Sequence, residues 1–582
     1  VNILVVFILT LIAFVVAGKQ YSSYVAGKLG EKRDNPTPAV TKNDGRDYVP
    51  SKLHVLFAHH FSTIAGAGPI VGPALGILYG FVPAWCWILF GSVFIGAVHD
   101  YTSLFAAMRE GGNSMAQIAG KSLGRWGFNL VILFTLILIL LVTAAFLKLS
   151  AVSLTSMWPL DKLGLDQSQT LLRTVVEDGQ VKGVIGGIAS TSVIVITLFA
   201  PVLGTLLFRR RIKMSHAYIM ALVLCVGGIL IGFRIPVALS PDIWMLVISG
   251  YVLFAATLPV WVILQPRDFV NAQVLYAGMI MLIASIIIVG VGGGEAAAIH
   301  LPNFNLAIGA DKLGFVWPML FITIACGAIS GFHALVSGGT TCKQVSSELD
   351  ARRIGFGGML LEGFLATMVL LAIGSSLSLT QYLNIVWPDG GASNPILAFS
   401  LAAGILVNKA FPFISVAVGS VFGILMIESF IITTLDSAVR LNRYLFEELW
   451  RQMFRKKVPV LLTKYYFNAP LAVGLMWLLA YTNTFTLIWP IFGTANQLLA
   501  ALTLLVISSW LALRGKRNWF TLIPAGFMLL TTIASLVYLL YNTYLPARNY
   551  VLVGTDLLML LLSFGVVFPA IRGKTVLSLA RK

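Results

Sequence analysis

Apolar runs about 20 residues long, the length a helix needs to cross a bilayer, recur along the whole chain and are separated by short polar segments. They fall near 1–18, 54–80, 82–108, 126–157, 184–208, 215–233, 242–264 and 273–292, and then near 314–338, 355–380, 411–435, 467–482, 484–512, 519–541 and 551–571. The pattern predicts an all-α polytopic membrane protein of about 15 transmembrane helices. Run 395–408, between Asp389 and Lys409, is too brief to cross and reads as a re-entrant or surface segment.

Two of these runs are interrupted. Segment 54–80, HVLFAHHFSTIAGAGPIVGPALGILYG, carries Gly66-Ala67-Gly68-Pro69 in its middle. Proline has no N–H for the helical ladder and glycine tolerates irregular backbone, so main-chain groups near the break lose their helical partners. In hydrocarbon such groups persist only where protein, a water-filled cavity or a bound solute satisfies them. Segment 314–344, GFVWPMLFITIACGAISGFHALVSGGTTCKQ, is a second such helix, with Gly327, Gly331, Gly338 and Gly339 around His333. Gly72 onward fits ordinary small-xxx-small helix packing. GAGPIVG is no dinucleotide fingerprint, since it contains proline and follows no strand.

Composition agrees with the pattern: 58% of residues are apolar and 11% charged, with mean hydropathy +0.89. The net charge of +17 raises the question of nucleic acid, but the basic residues sit in short loops between apolar runs, which is membrane orientation and not a nucleic-acid face. With the N-terminus outside, the cytoplasmic loops collect 32 of the 40 Lys and Arg, in 19–52, 109–125, 209–213, at Arg267, and in 343–353, 440–464, 514–517 and the tail from Arg572. The predicted topology is N-out, C-in, in a bacterial-type cytoplasmic (inner) membrane. On it the two broken helices run antiparallel, which is the strongest sequence pointer to a transporter's binding site. The domain reading follows: an additional N-terminal span at 1–18, taken as a span and not a cleaved signal, a first inverted-repeat half at 54–292, a second at 314–541 that includes 395–408, and a last span with its tail at 551–582. The largest soluble piece is the cytoplasmic loop 19–52, and the outside loop 158–183, with Asp161, Asp166, Glu177 and Asp178, reads as a solvated loop. Neither leaves room for a soluble catalytic domain. Four cysteines, Cys86, Cys225, Cys326 and Cys342, lack any CxxC spacing and are expected as free thiols.

Ionisable groups at membrane depth are costly and mark candidate function. His59 and His60 precede the first break, and His99 and Asp100 enter from the next span to a similar depth. Histidine titrates near neutrality and responds to a neighbouring carboxylate, so this group is a candidate for proton coupling. Zinc is the alternative for a His/Asp set, but neither HExxH nor CxxC occurs. His333 follows the second break. Glu362 has no visible partner in its span, so that either Lys343 reaches it or it lines the path, and Glu428 and Asp436 share a span with Thr433, Thr434 and Ser437. Asn496 and Gln497 bring amides to a third irregular stretch between Pro490 and Gly493, where they hold either a substrate or two helices together.

HHFSTIAGAGPIVGP (59–73), SGFHALVSGGTTCKQ (330–344), ESFIITTLDSAVRLNRY (428–444) and WPIFGTANQLLAAL (489–502), with the approach NDGRDYVPSK, resemble the carbon starvation protein A family of inner-membrane transporters. The resemblance implies secondary uptake of peptides or pyruvate, and kinship with the amino acid/polyamine/organocation superfamily, whose leucine-transporter-like core uses five-plus-five inverted helices. The seven-plus-seven spacing here departs from that pattern. In that superfamily a cation lies between the first and eighth core helices, which carried over here pairs Ala65 and Gly68 with Thr433, Thr434 and Ser437.

The expected function is a carrier working by alternating access and coupled to H+ or Na+, with no cofactor. The substrate carboxylate is expected at the freed N–H groups of Gly66, Ala67 and Gly68 and of Ser330, Gly331, Phe332 and His333, with Asn496 and Gln497 beside it. His59, His60, His99, Asp100, Ala65, Thr433, Thr434, Ser437 and Glu428 are the expected ion-coupling set. A channel, a nutrient receptor and an intramembrane metal enzyme are the rival readings. The expected partners are a small solute and the lipid bilayer, and oligomeric state is not legible.

Overall fold

The structure, a computed structural model, describes residues 1–44, 48–177, 179–206, 210, 212–258, 262–388, 392–454 and 458–572. Residues 45–47 of NDGRDYVPSK, Asp178, Arg209, Arg211, Asp389, the basic run 455–457 and the tail from 573 lie outside them.

The chain forms two compact bodies, each assembled from separated stretches. One comprises Val1–Phe7, Ile139–Pro302 and Met368–Ile488, the other Ile8–Leu138, Asn303–Thr367 and Trp489–Lys582.

The helices are apolar all round where they are buried, as membrane spans must be. Among the described residues ten helices are long and apolar enough to cross a bilayer, or 12 if each of two bent pairs counts as one span. The count of 15 is therefore not reached. Pro241–Thr257 is apolar but has 17 residues, about 26 Å at the helical rise, against a hydrocarbon core of about 30 Å. Pro395–Ala410, with 16 residues, is short as its sequence predicts. At the other extreme, the first helical run does not stop at residue 18. It passes through a π-turn at Ala17–Tyr21 and on to Leu29, so the polar segment begins later than its charges suggest.

In the first body, segment 158–183 is more than a loop. Strands β1 (Met157–Pro159), β2 (Thr174–Glu177) and β3 (Gln180–Val184) form an antiparallel sheet in the order β1-β3-β2, so the architecture is not purely helical.

The second body holds both broken helices. Leu53–Ile64 ends at Ala65, whose φ of −75° and ψ of 49° leave the helix. The chain resumes as Gly68–Gly76, bent by 40°. Pro69 sits in the first turn of that second piece, where a missing N–H costs nothing. In the other segment, Leu306–Leu313 and Val316–Thr323 meet at 75°. Residues 324–331 are not helical, and Phe332–Gly339 follows.

Candidate functional site

The two breaks pack against one another within the second body. A Cβ on Gly68 would overlap Cys326, and one on Gly72 would lie 3.1 Å from the Thr323 carbonyl oxygen and 3.2 Å from Ile324 Cα. A Cβ on Gly76 would lie 2.5 Å from Ile324 Cγ1, and one on Gly327 3.6 Å from Pro69 Cα. Further along, His60 Nδ1 meets Thr341 Oγ1 at 2.9 Å. Numbers fall along the first helix as they rise along the second, so the two broken helices are antiparallel. Gly68 thus has two roles: it opens the second piece of its helix, and it lets Cys326 approach closer than any side chain would.

The polar groups that the second break frees are taken up by side chains. On the acceptor side, the Phe321 carbonyl receives Gln497 Nε2 at 2.5 Å and Trp87 Nε1 at 3.2 Å. The Ile324 carbonyl receives Trp87 Nε1 at 3.0 Å, and that of Gly327 receives Ser92 Oγ at 2.9 Å. On the donor side, Asn496 closes the start of Phe332–Gly339. Its Oδ1 accepts from the Phe332 N–H at 3.0 Å, its own carbonyl accepts from the Gly331 N–H at 3.0 Å, and its Nδ2 donates to Ser330 Oγ at 3.0 Å. Buried main-chain groups at membrane depth need such partners, and a solute binding here has to exchange with them. Asn496 and Gln497 lie in one continuous helix, Phe485–Leu513, so the irregular stretch expected between Pro490 and Gly493 is absent. Pro490 is the sixth residue of that helix, and the chain stays helical through it.

Beside the second break runs a buried chain of titratable groups. Asp100 accepts through both oxygens, from His99 Nδ1 at 2.7 Å and from His333 Nδ1 at 2.7 Å. His333 Nε2 lies 3.2 Å from Glu362 Oε2. All four side chains are fully buried. An ionised carboxylate can only accept, so both histidines carry their proton on Nδ1 and His333 turns its other nitrogen toward Glu362. That nitrogen, both Glu362 oxygens and the Nε2 atoms of His99 and His60 have no hydrogen-bond partner. His60 is within electrostatic reach of Asp100 and His333, while the His59 carbonyl accepts from the hydroxyls of Ser62 and Thr63.

The structure therefore joins His99, Asp100, His333 and Glu362, all four ionisable residues noted in the sequence. The partner of Glu362 is His333 and not Lys343, whose ammonium lies over the Tyr48 ring at 5.6 Å. Thr341, Ser92 and Trp87 were not singled out. Their only sequence signal is a hydroxyl or indole N–H in an apolar run, which is too common to pick out. Among the described residues no group of three or more His, Cys, Asp or Glu is arranged to hold a metal ion.

The remaining candidates belong to the first body. Thr433, Thr434, Ser437 and Glu428 lie on helix Val416–Met453, whereas Ala65 and Gly68 belong to the second. Asn271 Nδ2 donates to Thr433 Oγ1 at 3.2 Å. On the same helix Asp436 Oδ2 accepts from Arg267 at 2.7 Å and from the Tyr251 hydroxyl at 2.7 Å, with Arg267 and Asp436 each 1% exposed. Arg267, counted above as a loop cation, is instead in the first turn of helix Leu264–Gly292. Pro266, a residue suited to a helix start, was the overlooked signal.

The family described as carbon starvation protein CstA matches residues 2–394 and 388–535. The pyruvate/proton symporter BtsT of Escherichia coli (strain K12) is 32% identical over 621 aligned positions, which cover 91% of this chain and 80% of that protein. The peptide transporter CstA of Bacillus subtilis (strain 168) is 30% identical, covering 98% of this chain and 97% of its own. Among solved structures, MhsT in complex with L-phenylalanine aligns over 92% of this chain and all of its own, at 12% identity and a TM-score of 0.44. With ten or more helices fit to cross a membrane and matches over nearly its whole length, this multi-pass membrane protein belongs to the carbon starvation protein CstA family.

Proposed function

We propose that the protein is a secondary carrier that brings small carboxylate-bearing nutrients, pyruvate or short peptides, across the inner membrane together with protons. The single observation that carries this reading is the buried chain Asp100–His333–Glu362 set directly at the start of helix Phe332–Gly339. The transporter names of the relatives support it.

The coupling follows from charge. With Asp100 ionised, the facing atoms of His333 and Glu362 hold either one proton between them, leaving the cluster at net −1, or one each, leaving it neutral. A net charge buried at membrane depth is costly, so the second proton removes a penalty. A substrate carboxylate that displaces Asn496 Oδ1 from the Phe332 N–H, at the positive end of the helix dipole, puts another negative charge one residue from His333. Proton and carboxylate then favour each other's binding, and linkage requires the effect to be reciprocal. Ser330 and Asn496 fit the carboxylate, His333 and Glu362 carry the proton, and His99 holds Asp100 in place. Alternating access follows from rearrangement at the two non-helical breaks, where no helical ladder has to be torn.

The test is counterflow and gradient-driven uptake of labelled pyruvate and of di- and tripeptides in proteoliposomes. Saturable uptake driven by an inward proton gradient, with no requirement for sodium, is the expected result. Unsaturable flux without counterflow would make the protein a channel, and binding without flux would make it a receptor.

A further inference from the structure

The second body has a surface pocket of about 460 Å³ that the transport reading leaves unused. It opens where the first helical run widens into the π-turn Ala17–Tyr21 and faces the first turns of helix Glu348–Ser376. Lys19, Arg352 and Arg353 line it together with Ser22, Ser23 and Gly357, and no carboxylate is in the lining. Two acids stand just outside. Glu31 lies 3.6 Å from Arg352 Nε, and Asp350 lies 3.6 Å from Arg353 NH1. Arg352 NH1 also donates to Ser23 Oγ at 3.0 Å, which holds the guanidinium over the pocket. Arg353 remains 61% exposed.

A second, independent observation fixes the pocket's level in the membrane. Aromatic rings collect around it: Tyr21 stacks with Tyr24 at 6.2 Å, Tyr24 meets Trp519 at 6.2 Å, and Tyr21 meets Phe94 at 5.5 Å. Tyr and Trp with nearby Lys and Arg mark the headgroup level of a bilayer. On one side of this belt the surface is apolar and open, with Phe90 and Phe94, a ring pair at 6.2 Å, about half exposed. The place thus combines a basic pocket at headgroup depth with an apolar track beside it, the two halves of a phospholipid's surface.

We propose that this pocket binds the phosphodiester headgroup of an anionic phospholipid, phosphatidylglycerol in the simplest case. Lys19, Arg352 and Arg353 neutralise the phosphate, and one acyl chain lies along Phe90 and Phe94, while the Ser22 and Ser23 hydroxyls donate to the Gly18 and Lys19 carbonyls and hold the turn in place. The charge count places the site in the cytoplasmic leaflet. The full chain in detergent, titrated with dioleoyl-phosphatidylglycerol and followed by native mass spectrometry, is expected to take up the lipid in preference to dioleoyl-phosphatidylcholine. The triple variant Lys19→Gln/Arg352→Gln/Arg353→Gln should bind it about 10- to 100-fold more weakly, as expected for three lost basic contacts. Ser23→Glu keeps all three basic residues but sets a carboxylate in the lining beside Arg352, at an exposed position. It should weaken binding likewise, and it decides the matter if the triple variant does not fold. Undiminished lipid adducts in Ser23→Glu, equal uptake of phosphatidylcholine, or full displacement by inorganic phosphate that itself stays bound would each overturn the proposal, the last by making the pocket a free-anion site.

Discussion

Each body of this protein buries an ionic cluster, and the two differ in the cation. In the first body Asp436 is paired with Arg267, 2.7 Å away, and with the Tyr251 hydroxyl. In the second, Asp100 is paired with two histidines, and one of these also faces Glu362. Arginine stays charged at any pH a cell experiences, whereas histidine gains and loses its proton near neutrality. On the function proposed above, the first cluster is a lock and the second a switch, although both are equally dry. Burial of charge alone does not separate structural from functional groups. The kind of cation does.

The largest expected effect breaks the lock. Arg267→Met leaves Asp436 as an uncompensated buried charge and should cost about 3–5 kcal/mol, read as a loss of thermal stability in detergent. The double variant Arg267→Met/Asp436→Leu should recover most of it, because removing both charges also removes the desolvation penalty. If the double variant is as unstable as the single, the pair is more than a lock.

Next comes the switch. Glu362→Gln keeps the shape but cannot carry a second proton, so it should leave the fold intact and uncouple transport. The advantage that an imposed proton gradient gives to uptake should shrink by about 5- to 150-fold, the range of ordinary coupling free energies. Substrate exchange at equal pH should survive. Loss of exchange together with driven uptake would show that Glu362 serves the substrate and not the proton.

How much of this contrast was legible beforehand depends on what kind of signal carried it. The first break was readable because Gly66 to Pro69 disrupts a helix by covalent geometry alone, with no tertiary contact needed. The antiparallel course of the two breaks was readable from the way basic residues collect in alternate loops along the spans. Depth along each helix set His99 and Asp100 level with His59 and His60, but the histidine that meets Asp100 from another helix is His333, while His60 meets Thr341. The hidden parts were those that depend on partners far away in the chain. Asn496 closing the start of Phe332–Gly339 comes from 164 positions beyond Phe332, and Glu362 joins His333 across a turn in the chain. Arg267 was misplaced because one charged residue at the edge of an apolar run looks like loop until Pro266 is taken as the helix start. The sheet at 157–184 was missed because the expectation of helices outweighed the β-branched residues on either side of a DG pair.

A third prediction asks whether the switch sits on a rigid or a yielding break. A Cβ at Gly68 would overlap Cys326, and overpacking of this kind typically costs about 1–3 kcal/mol. Gly68→Ala should lower thermal stability by that amount and slow uptake. Adding Cys326→Gly, which clears the space, should restore both. Recovery of stability without recovery of transport would mean that Cys326 contributes more than volume.

The smallest effect comes from an ion cluster beyond the spans, which shows what burial adds to the other two. Glu110 receives Lys121 Nζ at 2.8 Å, Trp510 Nε1 at 2.8 Å and Arg514 NH2 at 2.7 Å. Partial burial acts to raise its carboxyl, but the hydrogen bonds from Lys121, Trp510 and Arg514 outweigh it and hold the group down at about 2, against an ordinary 4.5. A carboxyl lowered on folding contributes stability that is complete above its unfolded value and is lost as pH falls through its folded one. The contribution of Glu110 should therefore be whole at pH 6 and fade from about pH 4.5 toward about pH 2. Lys121 and Arg514 are each exposed by more than a third, 59% and 42%, so water and salt screen the pair. Glu110→Gln should cost about 0–1 kcal/mol at pH 6. It should also remove part of the acid sensitivity in melting curves taken between pH 6 and pH 3, and the difference from the unmodified protein should shrink in high salt. A salt-insensitive loss as large as that of Arg267→Met would place Glu110 with the locks, and the distinction drawn from the nature of the cation would then have to include depth as well.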